Sequence, residues 1–288
     1  MSPSDLASRF AARSDLRQSP MHALVMADIG WETIKLSPDT QLFLRRLGPV
    51  SLAKLQRARR IDLSQLRFLR KKHHIVTLYL EPKLGDPLPP SLGWHTEPFA
   101  HSATSLLDLT LPSSALLASF NQNIRRNLRS LPPPLTLTSI PLTKLSAQHI
   151  TDFFALQTAW ERNKHASSYP TPFLHSVLQR YHGHGHLHFA YANNVPCALL
   201  LTLYHDHVAT YFIASANHAG YTLAAPTHLT WAALQLARQQ GCEIFDFGGI
   251  YDPRYPRMYK GWQGFTQFKA GFRPNVVTYP ATKLLLFW

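Results

Sequence analysis

Two ionisable residues stand where apolar neighbours would turn them to chemistry. Asp246 interrupts the run Glu243-Ile244-Phe245-Asp246-Phe247, and Lys269 follows Phe265-Thr266-Gln267-Phe268 just ahead of Gly271. The run begins after a helix stop at Gly241 and breaks off at Gly248-Gly249, the pattern of a buried strand. A carboxylate in such a strand needs a cation or several hydrogen-bond donors. An ammonium held beside a carbonyl that gains charge stabilises the transition state more than the ground state. Two roles are therefore open to Lys269: a charge donor at a reacting carbonyl, or a lysine whose stem packs on Phe268 while its head pairs with Asp246. The loop of residues 250–264, dense in Tyr, Pro, Arg and Lys, is too long for a simple connector and suits binding.

The chain around these residues has 288 residues, enough for one or two domains and a large core. Its net charge of +13 comes from 29 basic and only 16 acidic residues, a balance that attracts polyanions such as tRNA, anionic membrane surfaces or phosphorylated precursors. Cys197 and Cys242 each lie in an apolar segment and read as core thiols of a reducing compartment. The apolar stretch of residues 23–29 is short and carries Asp28, unlike a secretory leader. The longest apolar runs, such as residues 197–204, fall short of the ~20 residues that cross a bilayer.

An Asp-Phe-Gly-Gly strand end, an aromatic and glycine-containing loop and then Phe268-Lys269-x-x-Phe272 resemble the C-terminal signature of the FemABX family. Members of that family move an amino acid from aminoacyl-tRNA onto an amine of a peptidoglycan precursor. The resemblance implies an α/β (α+β) fold of two acetyltransferase-like (GNAT-like) domains with mixed, largely antiparallel sheets flanked by helices. It places the first domain at residues 1–135, completed by a returning strand within 276–288, and the second at 136–275. It assigns catalysis to Lys269 and Phe268, and substrate binding to Tyr211, Asp246, Gly248, Gly249, Arg125, Arg126, Arg162 and Tyr259. It implies no cofactor and no metal, since the ester is already activated. The implied partners are aminoacyl-tRNA and a lipid-linked or nucleotide-linked muropeptide. The implied protein is a cytoplasmic monomer, with contact at the inner face of the membrane.

Two positions depart from the family. Residues 18–31, Gln18 to Gly30-Trp31, resemble its Gln-Ser segment, but Met26 stands where members often carry a phosphate-binding lysine. After Glu161-Arg162-Asn163 the expected arginine is replaced by Ser167, Ser168 and Tyr169. Both departures predict weaker dependence on acceptor phosphates. Rival readings are an acyl-CoA-dependent N-acyltransferase of the same fold, an aminoacyl-tRNA–protein transferase, and a catalytically dead binding module. CoA is disfavoured because the turn at residues 217–223 has one glycine, Gly220, and lacks the glycine spacing that cradles a pyrophosphate.

The elements that must position these residues follow from periodicity. A helix between residues 18 and 31 runs into a strand at 31–36. Leu52, Leu55, Leu63, Leu66 and Leu69 predict one helix capped by Ser51, breaking near Asp62, with Lys54, Arg57, Arg59, Arg60, Arg67, Arg70, Lys71 and Lys72 on its other face. Strands are expected at 75–80 and 101–111. A single helix from Ser113 is expected to carry Leu117, Phe120, Ile124, Leu128 and Leu131. Leu131-Pro132-Pro133-Pro134-Leu135 reads as an interdomain linker. Beyond it come helices from Thr151 and Pro172, then a meander of strands at 187–192, 195–204 and 208–214 turning at Asn193-Asn194 and His205-Asp206. His182, His184, His186 and His188 read as a solvated turn ahead of the first of these, with a metal site as the alternative. A helix from Pro226 ends at Gly241, and a last strand near residues 276–287 returns to the first domain.

Overall fold

The computed structural model describes residues 3–59, 61–164 and 169–287. Helix α1 (Pro3–Ala12), a 3-10 turn (Leu16–Gln18) and α2 (Pro20–Asp28) lead in. Ser19 caps α2, its hydroxyl accepting from the His22 N–H at 3.1 Å. Then follow β1 (Glu32–Ser37), β2 (Thr40–Leu47), β3 (Val50–Ala58), α3 (Leu63–Lys72), β4 (Ile75–Pro82), β5 (Trp94–His95) and β6 (Ala103–Asp108). The middle of the chain gives α4 (Ser113–Ser119), α5 (Gln122–Asn127), β7 (Leu135–Pro141), α6 (Ala147–Lys164) and α7 (Thr171–Arg180). The remainder gives β8 (Gly185–Ala192), β9 (Val195–His205), β10 (Val208–Ala216), α8 (His218–Thr222), α9 (Ala225–Gln239), β11 (Ile244–Gly249), α10 (Gln263–Ala270), β12 (Asn275–Thr278) and β13 (Lys283–Leu286).

Among the described residues the strands form two mixed sheets, ordered β1-β2-β3-β4-β13-β5 and β12-β6-β11-β10-β9-β8-β7. Each is antiparallel except for one parallel pair, β3 with β4 and β10 with β11. One face of the second sheet packs on α4, α5 and α9 through Phe120, Leu229, Phe245, Phe247 and Phe272. The other packs on α2, α6 and α7 through Val25, Phe153, Val177, Phe189 and Leu201. In the first sheet Leu42, Leu44, Ala53, Leu55, Leu78 and Leu80 point toward Leu66 and Leu69 of α3. Its opposite face carries the row Phe43, Lys54, Tyr79, Leu284 and Trp94, set by the cross-strand registers. Phe43 ties that face to the core of the second sheet. Cys197 and Cys242 are free and buried.

Several elements differ from expectation. Residues 50–58 are a strand, β3, because Ala53 and Leu55 go into one core while Lys54 and Gln56 take the other face. The leucine spacing of three suggests a helix, but Leu52 and Leu55 lie on opposite faces of β3, and burial alternates from Val50 to Leu55 as in a strand. Asp62, with its carboxylate accepting from the Ser64 N–H at 2.8 Å, caps the helix that does form. The expected basic face is dispersed accordingly. Arg67, Lys71 and Lys72 are exposed on α3, Arg57 is fully buried, and Arg60 lies outside the described residues. The helix from Ser113 breaks at Phe120, where Asn121 starts α5 by accepting from the Ile124 N–H at 2.9 Å. Helix α6 begins at Ala147, ahead of Thr151. His186 and His188 belong to β8; His188 is buried, 2.7 Å from the Ser139 hydroxyl and 3.0 Å from that of Thr202. No histidine, cysteine or carboxylate cluster among the described residues would hold a metal.

The sheets divide the chain between β5 and β6. Strand β6 therefore joins the second sheet, and the proline segment at 131–135 connects α5 to β7 within that sheet's share. The last strand is two strands: β12 pairs with β6, and β13 returns to β4.

Candidate active site

Strands β10 and β11 share a parallel ladder only from Val208–Ile244 to Thr210–Asp246. Past it, Gly248 adopts φ 68°, a left-handed conformation that a side chain resists, and a Cβ there would sit 2.9 Å from the Tyr211 carbonyl oxygen. The C-terminal ends of the two strands thus lack a mutual ladder, and α10 lies over them. Lys269 hangs from this helix. The Phe265, Phe268, Lys269 and Phe272 spacing is helical: Phe265 stands one turn before Lys269, and Phe268 faces Phe272 at 5.4 Å.

The Lys269 ammonium donates to the Gly249 carbonyl at 2.7 Å and lies 5.3 Å from the Tyr211 ring centre and 4.9 Å from that of Phe265. It is 6% exposed, and burial pulls its pKa down to about 7, against the opposing pull of Asp246. Asp246 does not pair with it directly. That carboxylate accepts from the Thr104 hydroxyl and from the Gly248 N–H at 2.8 Å, and burial raises its pKa. The second open role for Lys269, an ion pair with Asp246, is therefore not what the geometry shows. An ammonium carries three donors, and one is committed here, so donors remain for a substrate carbonyl. A pKa near the working pH leaves part of the group protonated, the form that can donate to a carbonyl oxygen gaining charge. Burial also raises the Tyr211 phenol.

Gly249 has no room for a side chain: a Cβ would overlap the Trp262 ring and crowd the His101 side chain. The loop ahead of α10 is held rigidly. Tyr259 is fully buried, its hydroxyl accepting from the Ser102 N–H at 3.1 Å. Asp252 is gripped by Arg254 at 2.7 Å and by the Ser102 hydroxyl at 2.5 Å, and Arg254 also donates to the Tyr279 and Ser102 carbonyls. Behind Gly249, Arg57 stacks on Tyr279 at 3.4 Å and donates to the carbonyls of Pro82 and His101. Burial first, then the charges of Arg17, Arg57 and Lys269, push His101 well below the usual imidazole range.

The structure brings together Lys269, Tyr211, Asp246, Gly248 and Gly249. Tyr259 serves as a buried prop of the loop, and Phe268 packs on the core beside Phe272 with no polar atom to offer. Arg125 and Arg126 are exposed on α5, and Arg162 is exposed on α6; none contacts the Lys269 cluster. Arg125 and Arg129 border a surface depression of about 540 Å³ between α4 and α5. Met26 is buried core; Ser167 and Ser168 lie outside the described residues, and Tyr169 stacks on Phe212 at 5.4 Å. Thr104 and Phe265 escaped sequence reasoning as neighbours of Asp246 and Lys269. Thr104 meets Asp246 across 142 positions, and no local pattern could announce that.

Comparison with known proteins places this geometry. FemX matches over 100% of this chain and 96% of its own, with TM-score 0.77 at 12% identity. The C-terminal domain of a putative lysylphosphatidylglycerol synthetase from Agrobacterium fabrum matches over 99% and 92%, with TM-score 0.60 at 14% identity. A tandem GNAT protein from the clavulanic acid biosynthesis pathway matches over 87% and 80%, with TM-score 0.52 at 14% identity. At these identities the likeness is one of fold, two GNAT-like units in one chain. No curated protein matches the sequence. The model of the acetyltransferase (GNAT) domain matches residues 118–261, which run from α4 through the β10–β11 opening to the loop before α10. Spanning half of the chain, that match makes it a member of the acetyltransferase (GNAT) domain family, an acyltransferase with the fold of FemX.

Proposed function

We propose that the protein transfers an amino acid from aminoacyl-tRNA to an amine of a peptidoglycan stem peptide. The observation that carries this reading is Lys269, a buried ammonium poised at the end of β10 and β11 with donors to spare. The amine attacks the ester carbonyl, the new C–N bond forms, and the ester C–O bond breaks. The departing ribose hydroxyl keeps the proton that the amine gives up. In between, the carbonyl oxygen carries negative charge, and protonated Lys269 donates to it. Tyr211 and Phe265 wall the ammonium from water, which strengthens that interaction.

The start of α9 supports a donor other than CoA. The amides of Gly220, Tyr221, Leu223, Ala224, Thr227 and His228 all donate to oxygens within the turn, so they are spent where acyl-CoA enzymes cradle a pyrophosphate. The likeness to FemX and to a lysylphosphatidylglycerol synthetase domain also favours an aminoacyl donor. Mass spectrometry of products from a mixed pool of charged tRNAs, stem-peptide acceptors and acetyl-CoA tests the reading. Aminoacylated muropeptide is the expected product; acetylated product from CoA alone would overturn it.

A further inference from the structure

On the face of the first sheet turned away from α3, Lys54 occupies the middle of an apolar row, with Phe43 beside it on β2 and Tyr79 beside it on β4. Its ammonium lies 4.6 Å from the Trp31 ring centre and 5.9 Å from that of Phe43. It makes no hydrogen bond or ion pair with any described residue. The carboxylate within its electrostatic reach, Glu81, is already committed to the Gln56 amide at 2.5 Å and to the Phe99 and Ala100 N–H groups at 2.5 and 2.9 Å. Arg17, the neighbouring cation, is held by Asp15 at 3.3 Å. This partly buried ammonium has a ring beside it and no anion, so a carboxylate would offset the water it has given up.

We propose that Lys54 anchors a carboxylate of the amine acceptor, with the partly exposed Trp31 ring beside the chain that bears it. The reading rests on the proposed transferase function and names the acceptor as an amine compound with a remote free carboxylate. One uncommitted ammonium suits a monoanion. The groups facing Lys54 from the surrounding elements are Glu81, Arg17 and His22, with exposed Arg45 on the far side of Trp31, 5.9 Å from its ring centre. Arg17 in turn lies within electrostatic reach of Asp246 and Glu81. An extended acceptor would place its carboxylate at Lys54 and its amine at the β10–β11 opening. Burial lowers the Lys54 pKa to about 8, and a bound carboxylate would raise it.

The test compares a synthetic stem pentapeptide with its C-terminal amide on the full-length protein. An ammonium–carboxylate hydrogen bond makes KM for the acid roughly 10–100-fold lower than for the amide in the parent protein. That ratio collapses to about one in Lys54→Met, which keeps the stem length, and is largely restored in Lys54→Arg. An unchanged ratio in Lys54→Met, or equal use of acid and amide by the parent, overturns the proposal, as does a discrimination that follows only an added phosphate. Titration of the 13Cε-labelled lysine signals with the same two peptides needs no transfer reaction. A Lys54 signal that responds to the acid and not to the amide supports the anchor even if no aminoacyl product forms. Silence of that signal while transfer proceeds refutes it with the function intact.

Discussion

Lys269 and Lys54 are the same side chain in two desolvated settings, and the contrast separates chemistry from holding. Lys269 is pulled down to about 7 while still donating to the Gly249 carbonyl, with Asp246 close enough to support its charge. Lys54 is pulled down to about 8, has only rings for company, and Glu81 is spent elsewhere. The first is built into the protein on one donor and left with others free, at the place where β10 and β11 lose their ladder. The second is partly buried beside rings, with no anion paired to it. A fixed ammonium whose geometry is set before substrate arrives can stabilise developing charge, while an unpartnered one gains most from a ligand that brings an anion.

The largest way to break the contrast is to remove the first lysine. Lys269→Ala is expected to lower the single-turnover rate of transfer roughly 10²–10³-fold, by analogy with the loss of one oxyanion donor, while tRNA affinity stays near the parent value. A variant that keeps its rate and loses only affinity would put Lys269 with Lys54, among the anchors. Stability sharpens the same contrast. The folded Lys269 has a lower pKa than the unfolded one, so the unfolded state binds more protons and the lysine costs stability increasingly as pH falls from about 10.5 toward about 7. Lys269→Met should therefore raise Tm, more at pH 6 than at pH 9, on a scale of roughly 2–4 °C per kcal/mol. Lys54→Met should show the same sign and a smaller rise; thermal melts at both pH values read the two side by side. A lower Tm for Lys269→Met would mean that the Gly249 hydrogen bond outweighs the desolvation. The smallest effect belongs to the surface. Arg125→Gln with Arg126→Gln should reduce the slope of log Kd for tRNA against log salt by about one to two, while Lys54→Met leaves it unchanged, since counterions are released by exposed cations.

The sequence made one lysine legible and hid the other. The strand end Asp246-Phe247-Gly248-Gly249 could be read because an apolar run stopped by glycines has few alternatives, and the meander from residue 185 to 216 follows from its turns and alternation. Lys269 was visible within its motif, although the helix that carries it was not, since α10 is only eight residues long. Lys54 was lost with β3. Once Leu52 and Leu55 were given to a helix, the lysine between them fell on a solvated face, and its position between Phe43 and Tyr79 depends on strand pairings that no local pattern records. Strand β6 shows the same limit: its place beside β11 is set across more than a hundred residues, so a proline-rich stretch looked like a boundary that the sheets do not respect.

The central claim is that Lys269 acts as a protonated donor and not as a base. The single-turnover rate of transfer from aminoacyl-tRNA, measured across pH with saturating acceptor, tests it most directly. Lys269 loses its proton as pH rises through about 7, so the ratio of the parent rate to the residual rate of Lys269→Ala should fall above that pH, the rise from deprotonation of the acceptor amine being common to both. A ratio that climbs steadily to pH 9 would contradict the account and make the neutral amine of Lys269 the catalytic form.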